Sequence, residues 1–264
     1  DTVMQCYAEE IVAGAEILAH IVGAETILLA VEDNKPDAAA AMTAAAQNCE
    51  MAEVVTFPTK YPSGGEKQLI EILLNAQVPS GGIPADIGVL CQNPSTAIAV
   101  LEAITLGKPL TTRVTTVTGE AVGDPGNRRV MLGTPIKDLL GQAGFDSTAG
   151  NRVLHGGPMM GFAVTDLDMP VVKITNCVLA PTAEELPPPQ PAQPCIRCGH
   201  CAEACPASLL PQQLYWYARA KDHEQLERHN LLDCIECGAC AYVCPSHIPL
   251  VQYYRSAKSG IKDA

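Results

Sequence analysis

The chain has 264 residues, a hydrophobic fraction of 47% and a formal net charge of −12, enough length for two or three domains with buried cores. Its most apolar stretch, residues 11–31, is interrupted by Glu16, His20 and Glu25, so we expect no transmembrane span, which requires about 20 apolar residues. Residues 195–264 hold seven basic and seven acidic side chains, so the net negative charge lies in residues 1–194 and argues against nucleic acid or anionic lipid as a partner.

Residues 1–108 alternate between helical and strand patterns. Apolar residues at helical spacing over 7–22 precede a buried strand at 26–33, an alanine-rich helix from Pro36 and a second strand at 52–58. Two further helices are predicted at 66–76 and 94–107. This β-α-β order favours a parallel sheet covered by helices, and it predicts an α/β domain over residues 1–108.

Residues 109–165 have a different pattern. The stretch "LTTRVTTVTG" alternates and is rich in Thr and Val, turn signals follow, and a short helix is predicted at 135–142. The glycines and methionines of "VLHGGPMMGF" (153–162) indicate a turn in which Met fills gaps in the core. We therefore expect a small separate module at 109–165, followed at 166–194 by a return segment and a proline-rich, semi-rigid linker.

The last predicted domain, residues 195–264, carries two copies of one cysteine pattern, C-x2-C-x2-C-x3-C-P. The first cysteine run spans residues 195–205, the second spans residues 234–244, and helical patterns lie between them. Such crowding does not suit separate disulfides, and we expect no signal peptide, so we predict a reducing compartment and metal-bound thiolates.

The spacing of the two runs is typical of paired [4Fe–4S] clusters. Three thiolates of a run bind three corners of one cube, and the fourth cysteine binds the other cube. The predicted ligands are Cys195, Cys198, Cys201 and Cys244 for one cluster, and Cys234, Cys237, Cys240 and Cys205 for the other. The alternative, a tetrahedral zinc site, needs two separated C-x-x-C pairs and leaves surplus thiols here. The remaining cysteines, Cys6, Cys49, Cys91 and Cys177, are expected to be buried apolar thiols.

Two short stretches of the first domain have both a structural and a functional interpretation. A glycine pair in "KYPSGGEKQL" (residues 60–69) forms either a simple tight turn or a backbone that a ligand approaches closely. In "LCQNPSTA" (residues 90–97), Asn93 is by default the N-cap of a helix.

The order of these parts resembles the C subunit of the Rnf electron-transport complex, a family related to the NADH-binding flavoprotein subunit of respiratory complex I. The resemblance rests on "YPSGGEKQLI", "CQNPSTA", "VTGEAVGDPGNRRVMLGTP", "GGPMMG", the proline-rich linker and the cysteine runs. It implies a Rossmann-like flavin-binding domain, incomplete at its N-terminus, a β-grasp-like (SLBB-type) module and a helical two-cluster ferredoxin domain.

The resemblance also implies an FMN site at which NADH delivers electrons. Against the motif Tyr-x-x-Gly-Glu-Glu of the complex I relative, Tyr61, Gly64 and Glu66 match, while Gly65 replaces the first Glu. Gln92 and Asn93 match a pair of Asn that approach the flavin, and Thr96 matches the Thr that follows them. Glu66 is the expected catalytic residue.

The family's glycine-rich flavin and NADH loop does not occur in this sequence, and residue 1 is Asp rather than Met. We therefore expect the chain to be part of a longer protein and to hold half of a flavin site. The resemblance implies an oxidoreductase subunit, peripheral on the cytoplasmic face of the bacterial inner membrane, whose partners are NADH and the other subunits. The alternatives are a non-catalytic iron–sulfur relay and a cobalamin reductase of a bacterial microcompartment.

Overall fold

Helices and strands alternate through residues 1–108, the first unit, in the computed structural model, which describes residues 1–262. This unit contains α1 (Thr2–Cys6), α2 (Ala8–Val22), β1 (Ile27–Glu32), α3 (Pro36–Ala46), β2 (Ala52–Phe57), α4 (Glu66–Leu74), a 3-10 turn (Pro84–Ile87) and α5 (Pro94–Leu106). Strands β1 and β2 are parallel, with Ile27 opposite Ala52. The β-α-β prediction is confirmed.

The core of the first unit lies between β1 and the helices that cover it. Val31 of β1 and Met42 of α3 are almost fully buried, and Ile11 of α2 packs in the same cluster. Helices α2 and α5 cross at Gly14, where a Cβ atom would lie 2.0 Å from the carbonyl oxygen of Ala97. Only glycine permits two helix backbones to approach so closely, so Gly14 determines how near α5 lies to α2.

The second unit is a five-stranded mixed sheet with one helix packed on it. Its elements are β3 (Thr112–Thr118), β4 (Gly126–Met131), α6 (Ile136–Gln142), β5 (Val153–His155), β6 (Phe162–Val164) and β7 (Cys177–Leu179), and the strand order is β4-β3-β7-β5-β6. Ile136, Leu139 and Leu140 of α6 are at most 1% exposed because they cover the sheet.

The predicted boundary at residue 165 falls inside this unit. Strand β7 lies in the middle of the sheet, parallel to β3 and antiparallel to β5. Three residues are too few for an alternating pattern to be recognised, so the sequence did not indicate this strand. The methionines do not fill gaps in the core of this unit, contrary to prediction. Met160 is 47% exposed, and Met159 contacts the third unit.

Residues 180–194, where the linker is predicted, contain no helix or strand, but hydrogen bonds hold this segment at two places. The guanidinium of Arg152 donates to the carbonyl oxygens of Leu186 (2.7 Å) and Pro187 (2.9 Å). At the other end, the amide of Gln193 donates to the carbonyl oxygen of Ser246. The segment is therefore a strap between the second and third units.

The third unit, residues 195–262, is helical. It contains α7 (His200–Glu203), α8 (Pro211–Ala220), α9 (His223–Arg228), a 3-10 turn (Leu231–Asp233), α10 (Ala239–Tyr242) and α11 (Leu250–Lys262). Leu214, Leu226, Leu231 and Tyr254 are at most 1% exposed and form its core. Residues 263 and 264 of the predicted domain lie outside the described residues. Within residues 1–262, no helix is long and apolar enough to cross a bilayer.

Candidate functional site

The two cysteine runs have the same backbone conformation. Arg197 and Glu236 occupy matching positions with φ of 57° and 56°, and Gly199 and Gly238 follow with φ of 87° and 85°. Left-handed residues within a turn direct successive amides towards one side. In the second run the backbone amides of Glu236 and Ala239 accordingly lower the pKa of Cys234 and Cys237, although burial raises it more.

The cysteines line two cavities that open to solvent, and the space in them, including the solvent-open part, is about 390 and 350 Å³. The larger is lined by Cys195, Cys198, Cys201 and Cys244, and the smaller by Cys205, Cys234, Cys237 and Cys240. Each cavity therefore receives three thiols from one run and the fourth from the other run. These are the two groups of four that the spacing predicts.

The shape of these sites suits a cluster better than a single ion. Among residues 1–262, no three His, Cys, Asp or Glu side chains converge closely enough to hold one metal ion. A tetrahedral zinc requires four sulfurs at about 2.3 Å from one point. A [4Fe–4S] cube instead binds one thiolate at each corner, so its ligands stand around a volume. The residues present fit two such cubes.

Burial makes the second site the less accessible of the two. Cys237 and Cys240 are buried, whereas Cys198 at the first site is exposed. Burial and the neighbouring thiols Cys234 and Cys237 raise the pKa of Cys240 to about 12. Thiolates are thus disfavoured in this cavity unless positive charge is bound there, as iron would provide.

The turn between β2 and α4 holds the residues predicted to lie beside a flavin. Glu66 is the first residue of α4 and is exposed, and Gly64 is exposed in the turn before it. At Gly65, a Cβ atom would lie 2.6 Å from Oε1 of Gln68, so the Gln68 side chain occupies the space that the relative's Glu would need. The hydroxyl of Tyr61 donates to the carbonyl oxygen of Cys237 at 2.6 Å.

The other predicted flavin residues lie at the start of α5. Oδ1 of Asn93 accepts from the amide of Ser95 at 2.9 Å, which confirms its N-cap role. Gln92 is exposed, and Thr96 is half-buried in the first turn of α5. Burial, and secondarily the negative charge of Glu66, raise the pKa of Cys91, so this thiol lies within electrostatic reach of the Glu66 carboxylate.

The second unit contacts the second cysteine run, and the sequence did not predict this contact. A Cβ atom at Gly238 would lie 2.8 Å from the carbonyl oxygen of Met159. The glycine-rich composition of residues 156–161 was the available signal, but it also fits an ordinary turn. The loop at 156–161 and Tyr61 therefore reach the same stretch, residues 237–238, from different units.

The cysteines outside the two runs differ in their surroundings. Cys49 is buried, in agreement with prediction, while Cys91 and Cys177 are half-buried. Cys6 is exposed, and the expectation of a buried thiol is wrong there because α1 has no buried residues.

Three protein families match successive parts of the chain. Residues 1–102 match the Nuo51 FMN-binding domain, residues 114–163 the SLBB domain, and residues 194–248 the 4Fe-4S dicluster domain. These matches correspond to the three units of the fold. They agree with a mixed α/β protein that carries flavin-binding and iron–sulfur domains.

Similar proteins match almost the whole chain. It is 56% identical over 262 residues to the C subunit of the ion-translocating oxidoreductase complex of Erwinia tasmaniensis, and 53% identical over 263 residues to the protein of the same name from Pseudomonas aeruginosa. These alignments cover 99% and 100% of this chain, which spans 33% and 34% of the two relatives.

A similar fold occurs in an NAD+-reducing [NiFe]-hydrogenase in the H2-reduced state. The TM-score is 0.61 with 19% sequence identity, over 97% of this chain and 53% of the hydrogenase chain. At this identity, the likeness concerns the fold alone.

Proposed function

The chain belongs to the family of C subunits of ion-translocating oxidoreductase complexes, and from this we propose that it passes electrons from NADH, through FMN, to two [4Fe–4S] clusters and on to partner subunits. We assign one cluster to the cavity of Cys195, Cys198, Cys201 and Cys244, and the other to the cavity of Cys205, Cys234, Cys237 and Cys240. This chain spans about a third of the length of these relatives. The assignments of NADH and of partner subunits are therefore our inference for the whole protein.

One observation carries this proposal: the turn that holds the predicted flavin residues contacts the loop of a cysteine run. Tyr61 donates its hydroxyl proton to the carbonyl oxygen of Cys237 at 2.6 Å. A second contact joins the first and third units, since the hydroxyl of Ser80, in the segment after α4, donates to the carboxylate of Asp233, just before the second run. We therefore propose that electrons pass from the flavin to the cluster of the second run first, and from there to the cluster of the first run.

The residues of the flavin half-site would act by position and charge. Gly64, where a Cβ atom would meet nothing within 4 Å, leaves the backbone open to a planar ligand, and Gln92, Asn93 and Thr96 would supply polar groups beside it. Glu66 stands at the N-terminus of α4, where its carboxylate can meet the edge of the flavin or nicotinamide. FMN, when bound, accepts a pair of electrons and releases them one at a time.

The first cysteine run is suited to pass electrons out of the subunit. Its Cys198 is exposed, and Ile196, two residues earlier, is 67% exposed. A partner subunit that covers this edge would come close to the cluster without moving any backbone. We infer that the chain docks there on its complex, at the cytoplasmic face of the membrane.

The test begins with the complete gene product, reconstituted anaerobically with iron, sulfide and FMN. We expect about eight iron and eight sulfide per chain, from two four-iron cubes, and bleaching of the cluster absorbance on addition of NADH. The variant Cys198→Ser should lose one cluster and keep the signal of the other. Zinc in place of iron would refute the cluster assignment.

A second candidate is a relay that receives electrons from a separate flavoenzyme, because this function needs only the two groups of four cysteines. A flavin titration of this chain and of the complete gene product separates the two. Clusters that fill with iron but are reduced only when another reduced protein is added would support the relay and overturn the role of NADH.

The variant Glu66→Gln tests the flavin half-site directly. If the carboxylate of Glu66 only interacts with the dipole of α4, the change costs about 0.3–1 kcal/mol of stability and leaves the rate of NADH oxidation unchanged. If it lies in the site, NADH oxidation falls by tenfold or more, about 1.4 kcal/mol of barrier. We propose the second outcome, with unchanged iron content. The same change at exposed Glu71, Glu71→Gln, serves as the matched control.

A further inference from the structure

The two cysteine runs differ at one position between their first two cysteines. The first run has Arg197 there and the second has Glu236, although the backbone of both is left-handed at this residue. Arg197 is exposed, whereas the side chain of Glu236 is only 29% exposed. The two loops thus have the same shape but place opposite charges beside their clusters.

Two cations of α11 enclose the carboxylate of Glu236. Nε of Arg255 donates to Oε2 at 2.9 Å, and Nζ of Lys258 lies 3.1 Å from Oε1. The side chains of Arg255 and Lys258 are 35% and 16% exposed, so water screens this group incompletely. Two cations and one carboxylate give this group of three side chains a net charge of about +1.

Lys258 and Arg255 also fix the loop itself. Nζ of Lys258 donates to the carbonyl oxygen of Cys234 at 2.5 Å, within the cysteine run. A guanidinium nitrogen of Arg255 donates to the carbonyl oxygen of Met160 at 2.9 Å, in the second unit. The group therefore ties together α11, the second cysteine run and the loop at 156–161.

We propose that Lys258 is a positioning residue that, with Arg255 and Glu236, holds the second cysteine loop and raises the reduction potential of the cluster bound by Cys205, Cys234, Cys237 and Cys240. The inference rests on the proposed function, because it requires a cluster in that cavity. Reduction adds one negative charge to a cluster, and a nearby cation in a poorly hydrated setting stabilises the reduced form.

The test is a potentiometric titration of the reconstituted complete gene product, followed by electron paramagnetic resonance. In Lys258→Gln, one of the two midpoints should move to a more negative potential, with the ratio of reduced to oxidised cluster falling about tenfold, or about 59 mV for one electron. The other midpoint should stay in place. Lys258→Arg should retain the native potential because it keeps the charge.

Two further variants make the sign of the effect decisive. Glu236→Gln removes the carboxylate and leaves both cations, so the same midpoint should move to a more positive potential. Lys221→Gln removes an exposed cation at the end of α8 and should move neither midpoint. If Lys258→Gln does not retain its iron, the Glu236→Gln result still decides, since a negative or absent shift there overturns the inference.

The experiment distinguishes a failure of the proposed function from a failure of the inference about Lys258. A native protein that binds no iron overturns the proposed function and this inference with it. Full iron content in every variant, with both midpoints unchanged, overturns the inference alone and leaves the cluster assignment in place.

Discussion

Replacing Gly238 by Ala should loosen the contact between the second unit and the second cysteine run. The added methyl group meets two obstacles. A φ of 85° is costly for any residue with a Cβ, by about 1–2 kcal/mol. The Cβ would also lie 2.8 Å from the carbonyl oxygen of Met159, a backbone atom that cannot rotate away. Such overpacking costs about 1–3 kcal/mol, so Gly238→Ala should cost about 2–5 kcal/mol in all.

Gly199 provides the matched control, because it occupies the same position of the first run. Its φ is 87°, but a Cβ atom there would meet nothing within 4 Å. Gly199→Ala should therefore cost only the backbone contribution, about 1–2 kcal/mol. The difference between the two variants isolates the contact with Met159.

Hydrogen exchange of the iron-loaded protein is the appropriate assay, because it reads the loop at 156–161 separately from the rest. In the native protein the amides of Gly156 and Gly161 are hydrogen-bonded, to the carbonyl oxygens of Cys177 and Gly157. In Gly238→Ala, the added methyl group should displace the loop at 156–161 at a cost of about 1–3 kcal/mol. The exchange of these two amides should then be about 5- to 150-fold faster. Equal exchange in this loop for Gly238→Ala and Gly199→Ala would refute the reasoning.

Three other variants test separate parts of the structure. Tyr61→Phe removes the hydroxyl that donates to Cys237 and should cost about 0.5–1.5 kcal/mol in anaerobic chemical denaturation, without loss of iron; a loss of iron would contradict this reasoning. Leu214 is fully buried, so Leu214→Ala should lower the free energy of unfolding by about 2–5 kcal/mol and hasten the loss of iron to a chelator. As a control, Leu210→Ala, at a position 53% exposed, should change the free energy of unfolding by less than about 0.5 kcal/mol. Burial lowers the pKa of His155 below its usual range, so the unfolded chain binds the proton more readily. The melting temperature should therefore fall as the pH drops below about 6.5, and His155→Gln should weaken this dependence if the reasoning holds.

Patterns within a short stretch of sequence were enough to predict much of the local structure. The alternation from residue 26 to residue 58 predicted a strand, a helix and a parallel strand, because each period reflects which face of an element is buried. The first three cysteines of each predicted ligand group also follow from spacing alone, whereas the fourth comes from the other run. Three cysteines at i, i+3 and i+6 lie within one loop, so their proximity does not depend on the remainder of the fold.

The tertiary structure decided which distant segments meet. Strand β7 lies at the centre of its sheet although its three residues carry no recognisable pattern. Tyr61, Met159 and Gly238 belong to three units, and only the packing of those units brings them together. The same holds for Glu236, whose sequence context shows one charge between two cysteines and says nothing of the two cations that α11 places beside it. Local periodicity encodes burial and turns, whereas such contacts depend on how whole elements pack, and no short stretch of sequence contains that information.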